Sequence, residues 1–521
     1  MIPLSVRACA LALSGTLWLS ACASHRGVLP PTVTMNPPRL QGLSYTLGSV
    51  PAGPWPVPDW IAALQDPQLS ALADEVLQGN PDLQIARTRI VLAQAQLDQF
   101  LPITGVNGSL SASAQRAHVP AGNVTSTASY LGTPIPVQSN LSLPESSSSL
   151  IAAFNYQLDL WQVNGGVTRS LLAERDAARL DADQARLRLR LSLVSLYFEL
   201  DQAFAMRDLA EQRQRDLEAI RGVVRERVER GLNPANDVLD LDVRRARLAQ
   251  DAAQADQRIL QARLQLGVLT GAGPERGLAL VRPHLTALPA TSLPADLPLE
   301  LLARRPDIVA ARMRVESAAG RTAATKARFY PNVNITAFAG LNSLSPGVFL
   351  NRDALLGSVG PAISLPVFQE ASLQAQLRGD YASGEAAIIL YNKTINEAFG
   401  EVARQVAAIR SADDLAQQQA LVLDAKRHTR AIAEERQRRG IGSAFDVLQA
   451  DLAWLQERSV ALEFDCNRRA LQVSLISALG GGFVRSPYDD IDGTMPSAQT
   501  SVVPTPSALT SSSHEPDHEH R

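Results

Sequence analysis

Covalent cross-links have almost no place in this sequence. Three of its 521 residues are cysteine, and Cys9 and Cys22 fall in the first 22 positions. Only Cys466 is left, so no disulfide framework holds the fold. Long apolar runs are missing too. Beyond the N-terminus no stretch reaches the roughly 20 unbroken apolar residues of a membrane-spanning helix, so any membrane span has to be made of strands. Neither sign of charge dominates: a formal net charge of -3 gives no basic signal for nucleic acid, and 45% hydrophobic residues exclude a disordered chain. Motifs that carry chemistry are also absent. The chain has no Gly-rich phosphate loop, no GxSxG and no Cys-x-x-Cys, so neither an enzyme nor a cofactor is expected. His514-Glu515-Pro516-Asp517-His518 matches the zinc-protease pattern literally. That chemistry needs both histidines on one helical face, and Pro516 interrupts the span, so no metal site is assigned.

What is present begins at the N-terminus. Arg7 leads into an apolar stretch, Ala8 to Leu19, followed by Leu19-Ser20-Ala21-Cys22. This is the layout of a secretory signal, too short to span a membrane. LSAC resembles the bacterial lipobox, in which cleavage precedes the cysteine and the thiol carries the lipid. Residues 1–21 then read as a lipoprotein signal peptide and Cys22 as the lipidated mature N-terminus; the alternative is an ordinary signal with an incidental cysteine. Acyl chains contribute roughly 0.8 kcal/mol per buried methylene, so several anchor a protein firmly. Residues 22–60, including PAGPWPVPDW, read as an extended tether.

Helical patterns follow, opened by Asp66-Pro67 and by Asn80-Pro81-Asp82, the second carrying Leu83, Ala86, Ile90, Ala93 and Leu97 on one stripe up to Phe100. After Pro102 the period changes from 3.6 to 2. A strand is expected over 103–116, a polar loop of about thirty residues next, and a second strand over 147–160. From about Val167 to Arg230 the pattern is helical without proline, a rod on the order of 100 Å. RGLNPANDVLDLD then turns the chain back at Gly231, with Asn233 and Pro234 suited to an N-cap and first helical position. The return helix has a heptad seam from Val238 through Leu241, Arg245 and Leu248 to Leu269.

A proline-containing linker, 271–298, divides the first repeat (61–270) from a second (299–482) that runs through the same programme. Arg305-Pro306-Asp307 answers Asn80-Pro81-Asp82, strands are expected over 332–342 and 355–368, and a rod over about 371–439 leads to RGIGSAFDVLQAD, where Gly440 turns the chain and Ser443 with Asp446 reads as a capping box. The second return seam is expected at Val447, Ala450, Trp454, Glu457, Ala461 and on to Ala478. Residues 483–521 read as a disordered tail. Each half thus supplies two strands, apolar on one face and small-polar on the other, as a lipid-facing barrel with a wet interior requires. Four strands cannot close such a barrel, and an open edge in lipid is costly, so the chain is expected to oligomerise. A soluble four-stranded sheet is the bland alternative.

NPDLQIAR, RRPDIVAARMRVESAAGRTAATKARFYPNV and the paired RG…DVL tips carry a resemblance. The chain resembles the TolC-like outer membrane factors, most closely the lipoprotein branch that serves resistance-nodulation-division efflux pumps, over roughly Trp60 to Gly482. That resemblance implies an α+β membrane protein, a homotrimer with a twelve-stranded β-barrel continued by a periplasmic α-helical coiled-coil barrel. It also implies a passive exit conduit in the bacterial outer membrane, with a periplasmic adaptor and an inner-membrane pump as partners. Ala23 after the cysteine favours export to the outer membrane. Type I protein secretion and heavy-metal efflux are alternatives within the class; a non-conducting lipid-anchored spacer is the alternative outside it. DLWQVNGGV is longer than the family's usual Asp-Leu-(Trp/Phe)-Gly-Arg junction.

By the same resemblance, acids at the start of the return helices narrow the pore. Asp446 matches one gate aspartate, the second acidic position is Gln449 here, and Asp237 matches the acid that partners a neighbouring arginine. That arginine's place is held by Gly442, with Arg438 and Arg439 nearby. Asp446 and Asp237 also favour the helix dipole as ordinary N-terminal acids, and the two roles can coexist.

Overall fold

The computed structural model describes residues 28–30, 32–35, 53–116, 124–130, 133–139, 146–286, 293, 297–343, 350–366 and 368–483. Two short helices, α1 (Pro67–Gly79) and α2 (Pro81–Phe100), precede strands β1 (Val106–Arg116), β2 (Val124–Tyr130), β3 (Thr133–Ser139) and β4 (Ser146–Leu158). The rod α3 (Val163–Glu229) and return helix α4 (Asn236–Leu269) follow, then α5 (Pro274–Leu278), α6 (Leu297–Arg304) and α7 (Pro306–Ala327). Strands β5 (Asn332–Ser343) and β6 (Leu355–Ser364), the rod α8 (Glu370–Arg438) and return helix α9 (Ala444–Ala478) complete the order. At 1.5 Å per residue the 67 residues of α3 and 69 of α8 each reach about 100 Å. The starts of α1 and α2 are set locally. Asp66 accepts from the backbone N–H groups of Gln68 and Leu69, and Asn80 does the same for Asp82 and Leu83, each with proline next in sequence. Asp66 is also buried and accepts from Tyr197 Oη and His284 N, both at 2.8 Å, which ties α1 to the middle of α3.

Four strands form one antiparallel sheet in the order β1-β4-β5-β6. The register sets Val106 opposite Tyr156, Leu110 opposite Ala152, Phe154 opposite Ala337, and Val359 opposite Ala337. One face therefore collects Val106, Leu110, Phe154, Tyr156, Ile335, Val359 and Ile363, all exposed. The other collects Asn107, Ser109, Ser111, Asn155, Thr336 and Ser358, with Phe338 interrupting it. Strand ends differ from expectation by a few residues: Leu101–Thr104 form a 3-10 turn around Pro102, and β6 stops at Ser364. The stretch expected as a loop holds a second, two-stranded sheet, β2 with β3. Pro134 and Pro136 both lie in β3. In a two-stranded ribbon, alternate residues turn their N–H away from the only partner, and proline at those positions costs no ladder bond.

The helices make an open layer. Near the sheet the packing order is α2, α3, α7, α8; towards the far end it is α4, α3, α9, α8, so both rods run through both parts. Among the described residues the outer members make no extensive contact with one another. The crossing of α3 and α7 is made by small residues. A Cβ on Gly320 would lie 2.8 Å from Gly166 O and from Ser170 N, and the hydroxyls of Ser170 and Ser317 are 3.0 Å apart. The main core surrounds Tyr197 with Leu69, Leu72, Leu193, Leu200 and Leu266.

Seam prediction holds along α4, and on α9 only at the end of the helix, at Leu475 and Ala478. On α4 the buried residues include Leu241, Leu248, Ala255, Ile259, Ala262 and Leu266, the expected stripe. On α9 they are Asp451, Leu455, Ser459, Cys466, Val473, Leu475 and Ala478, while Val447, Ala450, Trp454, Glu457 and Ala461 are only half-buried. The cause is position in the layer. Among the rods α4 packs chiefly on α3, whereas α9 lies between α3 and α8, and a helix covered on two sides has no single seam to find.

Candidate functional site

Both helical hairpins turn the same way. Gly231 has φ +71 and Gly440 φ +76, the left-handed conformation that glycine adopts without a Cβ penalty. Leu232 N donates to Arg227 O and Gly231 N to Val228 O; Ile441 N to Arg436 O and Gly440 N to Gln437 O repeat the pair. This is the two-bond glycine cap that closes the end of a helix.

Beyond the glycines the hairpins differ. Ser443 caps α9: its Oγ accepts from Asp446 N at 3.2 Å, and Asp446 Oδ2 accepts from Ser443 N at 2.9 Å and Ser443 Oγ at 2.8 Å. Those bonds, the backbone one foremost, hold the exposed Asp446 carboxyl below its ordinary range, with Arg436 and Arg227 acting in the same direction. The first hairpin has no such cap. Its α-helix begins at Asn236, after Pro234 rather than at it, and Asn233 caps no backbone group. The expected N-cap at Asn233 is thus corrected. Its side chain accepts from Arg227 Nε at 2.7 Å and donates from Nδ2 to Asp237 Oδ2 at 2.7 Å, because a loop residue between two helix ends can satisfy both side chains at once.

Asp237 therefore meets an arginine of its own hairpin, Arg227 at the end of α3, through an amide. Arg438 and Arg439 do not fill that place: both pair with Glu435, each at 2.7 Å. Gly442 leaves no room for the family's arginine in this arrangement, since a Cβ there would lie 2.9 Å from Arg436 Cβ. Gln449 is exposed and lines a cleft of about 760 Å³ with Leu217, Leu241, Arg244 and Leu452. Beneath the turns, Phe445, Leu448 and Leu452 of the second hairpin pack on Leu217, Ile220, Val224 and Leu241 of the first, so the two tips form one surface. The link from Arg227 to Asp237 was not foreseen; the arginine one turn before the glycine was its available signal.

Cys22 and His514–His518 lie outside the described residues. Among the described residues no group of three or more His, Cys, Asp or Glu is placed to hold a metal ion, and no helix is long and apolar enough to cross a membrane. What the arrangement offers chemically is a polar, acid-bearing end to a bundle of rods.

Comparison with known proteins agrees over most of the helices and sheet. The family described as outer membrane efflux protein matches residues 72–272 and 297–481. The multidrug resistance outer membrane protein MdtP of Escherichia coli K12 is 28% identical over 475 residues, 91% of this chain and 96% of that protein. Among solved structures, the outer membrane protein VceC of Vibrio cholerae superposes with a TM-score of 0.71 at 28% identity, covering 82% of this chain and 100% of the other. The outer-membrane channel OprN gives 0.72 at 25% identity, covering 87% and 99%.

Proposed function

This chain belongs to the outer membrane efflux protein family, and on that premise we propose that three copies close into one conduit through which small molecules leave the cell. The chain is an outer-membrane exit channel of an efflux system. The observation that carries the trimer is the pair of open layers. Among the described residues the sheet ends in β1 and β6, with no strand beyond either, and the rods end in α4 and α8, which make no extensive contact with one another. Bacterial barrels are closed and begin at eight strands, and four strands with apolar residues on one face leave unpaired backbone in lipid unless other copies supply the rest. Three copies give a twelve-stranded barrel. Exposed Leu239, Val243 and Leu260 on the α4 edge and Leu415, Leu421 and Ile432 on the α8 edge give the rods an apolar seam to close in the same step.

A passive conduit of this kind draws its energy from elsewhere. Energy comes from an inner-membrane pump of the resistance-nodulation-division class and coupling from a periplasmic adaptor, with Cys22 as the lipid anchor in the outer membrane. Asp446, Asp237 and Gln449 stand at the end of the helical tube, where three copies of each would surround its axis. Purified protein in planar lipid bilayers tests the reading: stepwise ion conductance and a β-barrel spectroscopic signal are expected. Absence of both would replace the conduit with a non-conducting spacer.

A further inference from the structure

Between the tips and the central core, three rods bring together charged side chains that the conduit does not require. Asp216 lies on α3, Asp451 on α9 and Arg430 on α8. Asp451 is 9% exposed. Arg430 Nε stands 3.0 Å from Asp451 Oδ1 and 3.0 Å from Glu434 Oε1, with its guanidinium over the ring of Trp454. One cation thus serves two acids before Asp216 is counted, and the Asp216 side chain meets that of Asp451. The remaining charges are engaged elsewhere or face outward. Arg213 of α3 pairs with Asp251 of α4, Arg458 of α9 lies over Trp454, and Arg215 is exposed.

Hydrogen bonding in the cluster is incomplete. Asp216 Oδ2, Asp451 Oδ1 and Arg430 Nε are buried without a well-aligned hydrogen-bond partner, the last two being ion-paired but not hydrogen-bonded. Two carboxylates in contact repel, and each buried acceptor left open is costly. One proton removes both difficulties, turning the contact into an O–H···O bond from one carboxyl to the other. We propose that Asp216 and Asp451 form a proton-operated clamp between the two helical hairpins, drawing α9 onto α3 when they share a proton and loosening it when the proton passes to solvent. Losing that proton takes the pair from one negative charge to two against a single shared guanidinium.

Titration follows the same direction. Burial, then the charge and hydrogen bond of Asp451, push the Asp216 carboxyl up to about 6, against the pull of Arg215 and Arg430. A carboxyl raised above its ordinary value binds its proton more tightly in the folded chain. The clamp is therefore fully present below the ordinary carboxylate value of 3.8 and is lost as pH rises through about 6. Asp451 lies in the same N-terminal stretch of α9 as Asp446, so loosening at the clamp frees the end of the second hairpin. The clamp is independent of whether the protein conducts, because packing and current are read separately.

Hydrogen–deuterium exchange of residues 447–458 in the full-length protein tests it, comparing wild type with Asp216→Asn and with Asp451→Asn at each pH so that the intrinsic pH dependence cancels. Asparagine keeps a donor for the remaining carboxylate at every pH. At about pH 8 the wild type should exchange roughly tenfold faster than either variant, and at about pH 4 within about twofold of them. A ratio unchanged between the two pH values overturns the clamp, as does a variant that exchanges faster than wild type throughout, which is the mark of ordinary packing. Trp454 gives a second reading: its emission should shift near pH 6 in the wild type and not in Asp216→Asn, and a shift common to both overturns the proposal.

Discussion

Asn233 donates from Nδ2 to Asp237 Oδ2 at 2.7 Å, one turn along the chain, while its own Oδ1 accepts from Arg227 Nε at 2.7 Å. The amide joins the basic end of α3 to the acidic start of α4 across a loop that holds a proline and a left-handed glycine. Two hydrogen bonds to charged, largely exposed partners contribute about 1 kcal/mol together. Asn233→Ala should therefore loosen the first tip without unfolding the rods, with faster exchange over residues 227–240 and longer channel openings in single-channel records. Unaltered exchange there would mean that the link holds nothing.

Asp446 separates two roles that its geometry combines. As an N-terminal cap it accepts from Ser443 N and Ser443 Oγ; in a trimer, three such carboxylates would face a narrow axis. Asp446→Asn should weaken cation selectivity and block by divalent ions from the periplasmic side, with the assembly intact. Because its carboxyl is held below the ordinary range, selectivity in the wild type should persist as pH falls through 3.8 and be lost only below it. Ser443→Ala, which removes the cap but not the charge, should cost about 1 kcal/mol of local stability and leave selectivity in place. Equal ion block in wild type and Asp446→Asn would take this residue out of the gate.

Neighbouring residues on β6 should respond in opposite ways. Val359 is 75% exposed on the apolar face, and Ser358 is on the other face. Arginine at a lipid-facing position costs about 2–4 kcal/mol near the bilayer midplane. Val359→Arg should therefore reduce assembled protein in outer-membrane fractions, whereas Ser358→Arg should assemble normally and lower single-channel conductance. Similar yields for both would invert or erase the face assignment.

At Gly320 the crossing of α3 and α7 has no room for a Cβ. Gly320→Ala places one against the backbone of Gly166 and Ser170 at 2.8 Å, and overpacking of this kind costs about 1–3 kcal/mol. Thermal melting of the purified protein should show a lower midpoint, and Gly320→Leu should lower it further. Gly222, where a Cβ would meet nothing within 4 Å, is the control: its replacement by alanine should not lower the midpoint.

Anchoring rests on Leu19-Ser20-Ala21-Cys22. Cys22→Ser should abolish incorporation of a labelled fatty acid and block normal signal processing, while the barrel still inserts. Label retained on the serine variant would remove the lipid assignment.

Local chemistry carried most of the architecture into the sequence. The caps at Asp66 and Asn80, the glycines at 231 and 440, the unbroken helical period of the rods and the two-residue period of β1, β4, β5 and β6 each act within a few residues, so each is legible without a partner. What the sequence could not express was decided by neighbours distant along the chain. β2 and β3 hide behind Pro134 and Pro136, which are harmless only because the ribbon has free edges. The burial of Asp451 follows from α9 lying between two rods, and its meeting with Asp216 and Arg430 joins three helices that no short-range period relates. Asn233 has the composition of a cap and instead joins two side chains, because the positions of Arg227 and Asp237 are set by the packing of α3 on α4. A repeating pattern records which face of an element is apolar; only the packed layer determines how many faces are covered, and by which charges.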